Sequence, residues 1–114
     1  HVKGVINLRG QVIPVSDLRL RFGMDTIAYN DRTCIIVVDI QGADSATRMG
    51  VIVDAVSEVL HVREEEIEAA PSFGALARTD YILGMANMDE SVKILLDIDR
   101  VFDPDDIAVL EKAA

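Results

Sequence analysis

The side chains able to do chemistry are few in this sequence, and poorly spaced for it. The histidines are His1 and His61 and the lone cysteine is Cys34, and no combination of the three has the spacing of a zinc ligand set. His61 lies mid-strand in VLHVR. Cys34 lies among β-branched neighbours in RTCIIVVD, where a small buried hydrophobe is the expected role. The carboxylates Asp97, Asp99, Asp103, Asp105 and Asp106 are the groups a hard cation such as calcium would seek, but the loop with a central Gly and a distal Glu is missing. Helix capping and solvation account for most of them. There is no glycine-rich phosphate cradle and no serine in a nucleophile elbow. The expectation is a non-enzymatic protein with no metal and no cofactor, with an acidic-site, metal-binding enzyme as the remote alternative.

What remains is recognition chemistry. Arg9, in NLRGQ, sits where a hairpin should turn; from there a planar guanidinium can offer forked hydrogen bonds to carboxylates or carbonyls, or can simply solvate the turn. Phe73, in PSFG, is a large aromatic in a turn-rich segment, and is either an exposed interface anchor or a side chain tucked under its own loop.

The elements that must position these residues are short. Residues 5–8 and 12–15 are apolar stretches separated by Arg9, Gly10 and Gln11, the pattern of a hairpin with Gly in the turn. Pro14 cannot donate to a ladder, which places its strand at an edge or ends it early. Asp17 reads as a helix cap, with Leu18, Leu20 and Phe22 forming one or two turns that Gly23 stops. Residues 24–32 read as a loop and residues 33–40 as a central strand. Residues 41–46 form a turn, and residues 47–53 and 57–62 form two further strands separated by a bend at 54–56. Residues 63–70 fit either a helical turn or an acidic loop. Residues 71–80 read as a loop, and residues 81–88 and 92–97 as a second hairpin about Asp89, Glu90 and Ser91. The sequence DPDD at 103–106 predicts a capped helix over residues 107–112. About seven strands with short helices make the fold mostly β.

Residues 4–22 match residues 84–102 without a gap. Gly4 falls on Gly84, Asn7 on Asn87, Val12 on Val92, Asp17 on Asp97 and Phe22 on Phe102, so one unit is present twice. Paired in this way, Gly4 and Gly84 answer a demand of the backbone, and Asn7 and Asn87 serve the turn. Arg9 is the exception. Its counterpart is Asp89, a reversal of charge at a position the fold leaves free to differ.

Length and composition set the class. A chain of 114 residues, half of them hydrophobic, supports one compact domain or two small halves sharing a core. The longest apolar run, residues 34–38, has the size of a buried strand and falls far short of a membrane span. No signal peptide is visible, no intrachain disulfide can form, and the cytoplasm is the expected location. The net charge of −9 opposes binding to nucleic acid or anionic lipid. Residues 1–32 carry five basic and three acidic groups against six and 17 in the remaining 82; such a front segment suits an acidic protein partner.

The segments VKGVINLRGQVIPVSDLRLRFG, RTCIIVVDI, RMGVIVDAVSEVL and ILGMANMDESVKILLDIDRVF closely resemble the CheW-like family of chemotaxis coupling proteins, over nearly the whole chain. The resemblance implies a single domain over 1–114, built as two intertwined five-stranded SH3-like barrels. Members usually begin with two further strands, so the first barrel is expected to be incomplete here. The open barrel edge is then expected to be filled by a second copy of the chain, as a homodimer, or by a kinase regulatory domain where one is present. By implication the protein is a non-enzymatic adaptor coupling the cytoplasmic tip of transmembrane chemoreceptors to the regulatory domain of the histidine kinase CheA, in arrays to which it is recruited at the membrane without inserting. The alternative is a CheW-like domain of a larger signalling protein, either the kinase or a receiver-linked coupling protein. Carried over by position, Gly4, Arg9, Gly10, Gly50 and Val59 are the receptor-binding candidates and Phe73 is the kinase-binding candidate.

Overall fold

The computed structural model describes residues 2–41, 46–69, 81–88 and 90–102. The turn expected at 41–46, the loop at 71–80 with Phe73, and the helix at 107–112 fall wholly or largely outside them. Among the described residues the chain divides into two compact units, the first running to Val59 and the second starting at Leu60.

The first unit holds a four-stranded sheet. Strands β1 (Val2–Leu8) and β2 (Gln11–Asp17) form an antiparallel hairpin, and β3 (Cys34–Gln41) and β4 (Ala46–Val53) form a second. The hairpins join through β2 and β4, which run parallel over Val15–Asp17 against Gly50–Ile52, giving the order β1-β2-β4-β3. Ile13, Val15, Ile40, Met49, Val51 and Ile52 are buried. Each such side chain removed from water contributes roughly 1.5–3 kcal/mol.

Three expectations are corrected here. The strand carrying Pro14 lies inside the sheet, not at its edge. Its parallel ladder with β4 starts only at Val15, so the missing N–H of Pro14 precedes the seam and costs no bond there. The strand expected to be central, β3, is instead an edge of the described sheet, and Ile35, Ile36 and Val37 along it are exposed. Cys34, at its start, is half-buried, and its thiol donates to the carbonyl of Arg32 at 3.2 Å.

One helical turn, α1 (Leu18–Arg21), follows β2 directly. Asp17 starts it by accepting the amide of Arg19 on Oδ1 at 2.9 Å. Gly23, at φ 73°, ends it with the left-handed geometry that only glycine adopts cheaply.

The second unit is built on β6 (Ile82–Met88) and β7 (Ser91–Leu96), an antiparallel hairpin flanked by the two-residue β5 (Ile67–Glu68) in the order β5-β6-β7. The strand expected over residues 57–62 does not form. The chain bends at Asp54 and runs irregularly to Arg63, leaving Val56 and Val59 in solvent. A 3-10 turn at Glu64–Glu66 follows, tied by Arg63 Nε to Glu66 Oε1 at 2.8 Å, and it delivers the chain to β5.

The offset of 80 residues that aligns the two sequences also aligns their registers. Gly4 lies opposite Val15 as Gly84 lies opposite Leu95, and Asn7 opposite Val12 as Asn87 opposite Val92. Both first strands carry an irregularity two residues in, at Val2/Gly4 and at Ile82/Gly84. Asp97 caps α2 (Ile98–Val101) by accepting the amide of Asp99 at 3.1 Å, as Asp17 caps α1.

Candidate partner-binding surface

The β1–β2 hairpin is closed by Arg9 and Gly10, both at positive φ, 52° and 84°. Two successive positive-φ residues give the turn whose twist matches that of the flanking strands. Asn7 Oδ1 accepts the Gly10 amide at 2.9 Å, so the turn is held from inside the hairpin. Arg9 is exposed and makes no hydrogen bond or ion pair among the described residues. Left-handed backbone at a non-glycine residue costs on the order of 1 kcal/mol. Arg9 is therefore a free guanidinium on a rigid and slightly strained support.

Gly4 lies on β1, five residues before Arg9, at φ 147° with open space where a side chain would stand. Its cross-strand neighbour Val15 is also the neighbour of Gly50 on β4. Gly4 and Gly50 thus share one row, two strands or roughly 10 Å apart. Gly50 is buried, and a Cβ there would lie 2.7 Å from Ile35 Cγ2 and 3.3 Å from Val15 Cγ2, so its role is to let β3 and β2 close over it. Val59, in the irregular stretch after β4, is 92% exposed. The sequence candidates therefore separate into a hairpin tip (Arg9, Gly10), a row across the sheet (Gly4, Gly50) and an isolated exposed valine. Phe73 lies outside the described residues.

Sequence reasoning missed the contacts that brace the base of this hairpin. Asp17, 4% exposed, caps α1 with Oδ1 and accepts the hydroxyl of Tyr29 on Oδ2 at 2.8 Å. That hydrogen bond, together with desolvation and the carboxylate charge, raises the pKa of Tyr29. Arg19 Nε reaches both oxygens of Asp54 at 2.9 and 3.0 Å, and its Nη1 donates to the carbonyl of Asp25 at 3.2 Å. The same contact lowers the pKa of Asp54 and raises that of Arg19. Leu18, Phe22, Met24, Ile52 and Val53 line a small open cavity beside this pair. Of these contacts, only the capping role of Asp17 had a local signal; partners 6, 12 and 35 residues away leave none.

Two further facts bear on function. Among the described residues, no group of three or more His, Cys, Asp or Glu side chains is placed to hold a metal ion. No described helix is long and apolar enough to cross a membrane.

The comparisons with known proteins agree with one another. A chemotaxis protein CheW of Klebsiella aerogenes is 34% identical over 113 residues, covering 99% of this chain and 66% of that protein. A chemotaxis protein CheW of Bacillus subtilis is 36% identical over 104 residues, covering 90% of this chain and 64% of that protein. The chain thus spans about two thirds of the length of the relatives it matches. Among solved structures, the crystal structure of the scaffolding protein TtCheW from Thermoanaerobacter tengcongensis superposes with a TM-score of 0.74 at 35% identity, over 92% of this chain and 68% of that one. The model of the CheW-like domain matches residues 1–105, which include all three hairpins and the seam between β2 and β4. On sequence and fold alike, the chain belongs to the CheW-like domain family of chemotaxis proteins.

Proposed function

We propose that this chain is a non-enzymatic chemotaxis adaptor, which couples transmembrane chemoreceptors to the histidine kinase CheA and works in the cytoplasm at membrane receptor arrays. The observation that carries this reading is the family match over residues 1–105, joined to relatives named as chemotaxis and scaffolding proteins. In this reading Arg9 makes the principal receptor contact. Its exposed guanidinium is set by a turn in which Gly10 and Asn7 fix the backbone, and a side chain on a rigid support loses less freedom on binding. Gly4 and Gly50 shape the sheet behind it, and Val59 adds an apolar contact. Phe73 supplies the contact with the regulatory domain of the kinase.

Co-sedimentation tests the proposal. Membranes bearing chemoreceptors, mixed with the purified chain and CheA, should carry both proteins down together. Arg9→Ala should weaken recovery on receptor membranes about tenfold while leaving binding to CheA and the melting temperature unchanged. A chain that binds neither receptor nor kinase would refute the adaptor reading.

A further inference from the structure

The side-chain amide of Asn7 has two ends, and the β1–β2 turn uses one of them. Oδ1 accepts the Gly10 amide at 2.9 Å. Only the oxygen of a side-chain amide can accept an N–H, so this bond fixes which end faces the turn. The planar group is left with Nδ2, carrying two N–H donors, as its free end. Asn7 is exposed, and Nδ2 meets no acceptor among the described residues. Two residues on, the Arg9 guanidinium is exposed as well, and also makes no hydrogen bond or ion pair among them. Between them the two side chains offer donors only, on a turn whose backbone is set by Arg9 and Gly10 at φ 52° and 84°.

We infer that Asn7 is a second partner-binding residue beside Arg9. Its bond to Gly10 orients the side-chain amide, and Nδ2 then donates to a carboxylate or carbonyl oxygen of the receptor while Arg9 engages another. The inference rests on the reading of this tip as a receptor contact, and adds to it a selectivity that a lone arginine lacks. A guanidinium on a long stem is satisfied by many accessible carboxylates, whereas two donors held on one rigid turn need acceptors at a matching spacing. Losing one donor leaves a partner oxygen unpaired in the contact, which costs more than the bond itself contributes.

Asn7→Asp separates the two ends of the side chain. A carboxylate still accepts the Gly10 amide, so the melting temperature should stay within about 2 °C, whereas Asn7→Ala, which loses the bond, should lower it by about 3–6 °C. On receptor membranes the order should reverse. Co-sedimentation should weaken about three- to tenfold for Asn7→Ala and more than about tenfold for Asn7→Asp, because an acceptor then faces an acceptor. Asn87→Asp makes the same change of charge at the equivalent place in the other hairpin and should leave receptor recovery unchanged. In an Arg9→Ala background, Asn7→Asp should still weaken recovery about threefold, which excludes an effect relayed through Arg9. An unaltered chain that does not bind receptor membranes overturns the adaptor reading and this inference with it. Where the unaltered chain binds, Asn7→Asp recovery equal to it or above that of Asn7→Ala overturns this inference alone, leaving Asn7 as a brace of the turn. An equal loss from Asn87→Asp, or no loss in the Arg9→Ala background, overturns it too.

Discussion

Gly4 and Gly84 hold the same place in two copies of one hairpin, opposite Val15 and Leu95, yet each must be glycine for its own reason. At Gly4 the backbone stands at φ 147° and space is open; at Gly84 a Cβ would lie 2.6 Å from the backbone oxygen of Glu68 and 2.7 Å from Ile67 Cγ2. The first excludes side chains by conformation and the second by contact with β5.

The two substitutions to alanine should therefore fail differently. Each should cost about 1–3 kcal/mol, Gly4→Ala through backbone strain and Gly84→Ala through overpacking. Only Gly84→Ala should release β5, seen by hydrogen exchange as lost amide protection at Ile67 and Glu68. Equal protection there in both variants would contradict the assignment.

Arg9→Asn should separate stability from binding. Asn tolerates left-handed backbone better than Arg and is favoured before Gly in such turns, so the variant should gain about 0.5 kcal/mol, or roughly 2–4 °C in melting temperature. Receptor co-sedimentation should fall at the same time. A lower melting temperature would mean that the Arg9 side chain holds the turn.

The bond between Tyr29 and Asp17 should anchor the loop that follows α1. Tyr29→Phe should cost about 1 kcal/mol, whereas Asp17→Ala, which also removes the helix cap and leaves the buried site unfilled, should cost about 2–3 kcal/mol. A double-mutant cycle on chemical denaturation should return a coupling near 1 kcal/mol. Zero coupling would show that the loop is held by other means.

Acid should act through three exposed pairs. Hydrogen bonds from Arg48, Arg19 and Arg63 lower the pKa values of Asp39, Asp54 and Glu66 respectively. A carboxylate held low in the folded state stabilises it above the unfolded value, about pH 4, and the contribution disappears as pH falls through the lower folded value. Asp54→Asn and Asp39→Asn should each flatten the loss of melting temperature below about pH 4. An unchanged acid slope would mean that these pairs contribute nothing measurable to folding.

Local signals carried much of this fold into the sequence. The hairpins were legible because their turns are written in residues that do one thing well, Asn7 and Gly10 above all, and the first cap because Asp17 precedes an apolar run. What sequence could not give was lateral order. Pro14 argued for an edge, but an interior place suits it because the seam with β4 begins one residue later. The Ile- and Val-rich β3 argued for the centre, since β-branched composition reports a strand without reporting its neighbours. Residues 57–62 had the composition of a strand, and none of the described strands pairs with them. At the candidate surface, Arg9 was legible as a turn residue; its strained φ and lack of described partners were not, nor was the brace of Tyr29 and Arg19 below it.

The seam between β2 and β4 has a consequence in time. Each hairpin joins strands adjacent in sequence, whereas the parallel ladder joins Val15 to Gly50, across a segment that must be ordered before the contact forms. Closing such a loop costs entropy that a hairpin turn does not incur, and folding slows as contacts become less local. The hairpins are the fast local events, and their docking along Val15, Ser16 and Asp17 is the slow one. Until that step completes, the apolar residues of both hairpins stay open to any other strand nearby, which makes the rate of one three-residue seam the measure of how long this chain is exposed to aggregation.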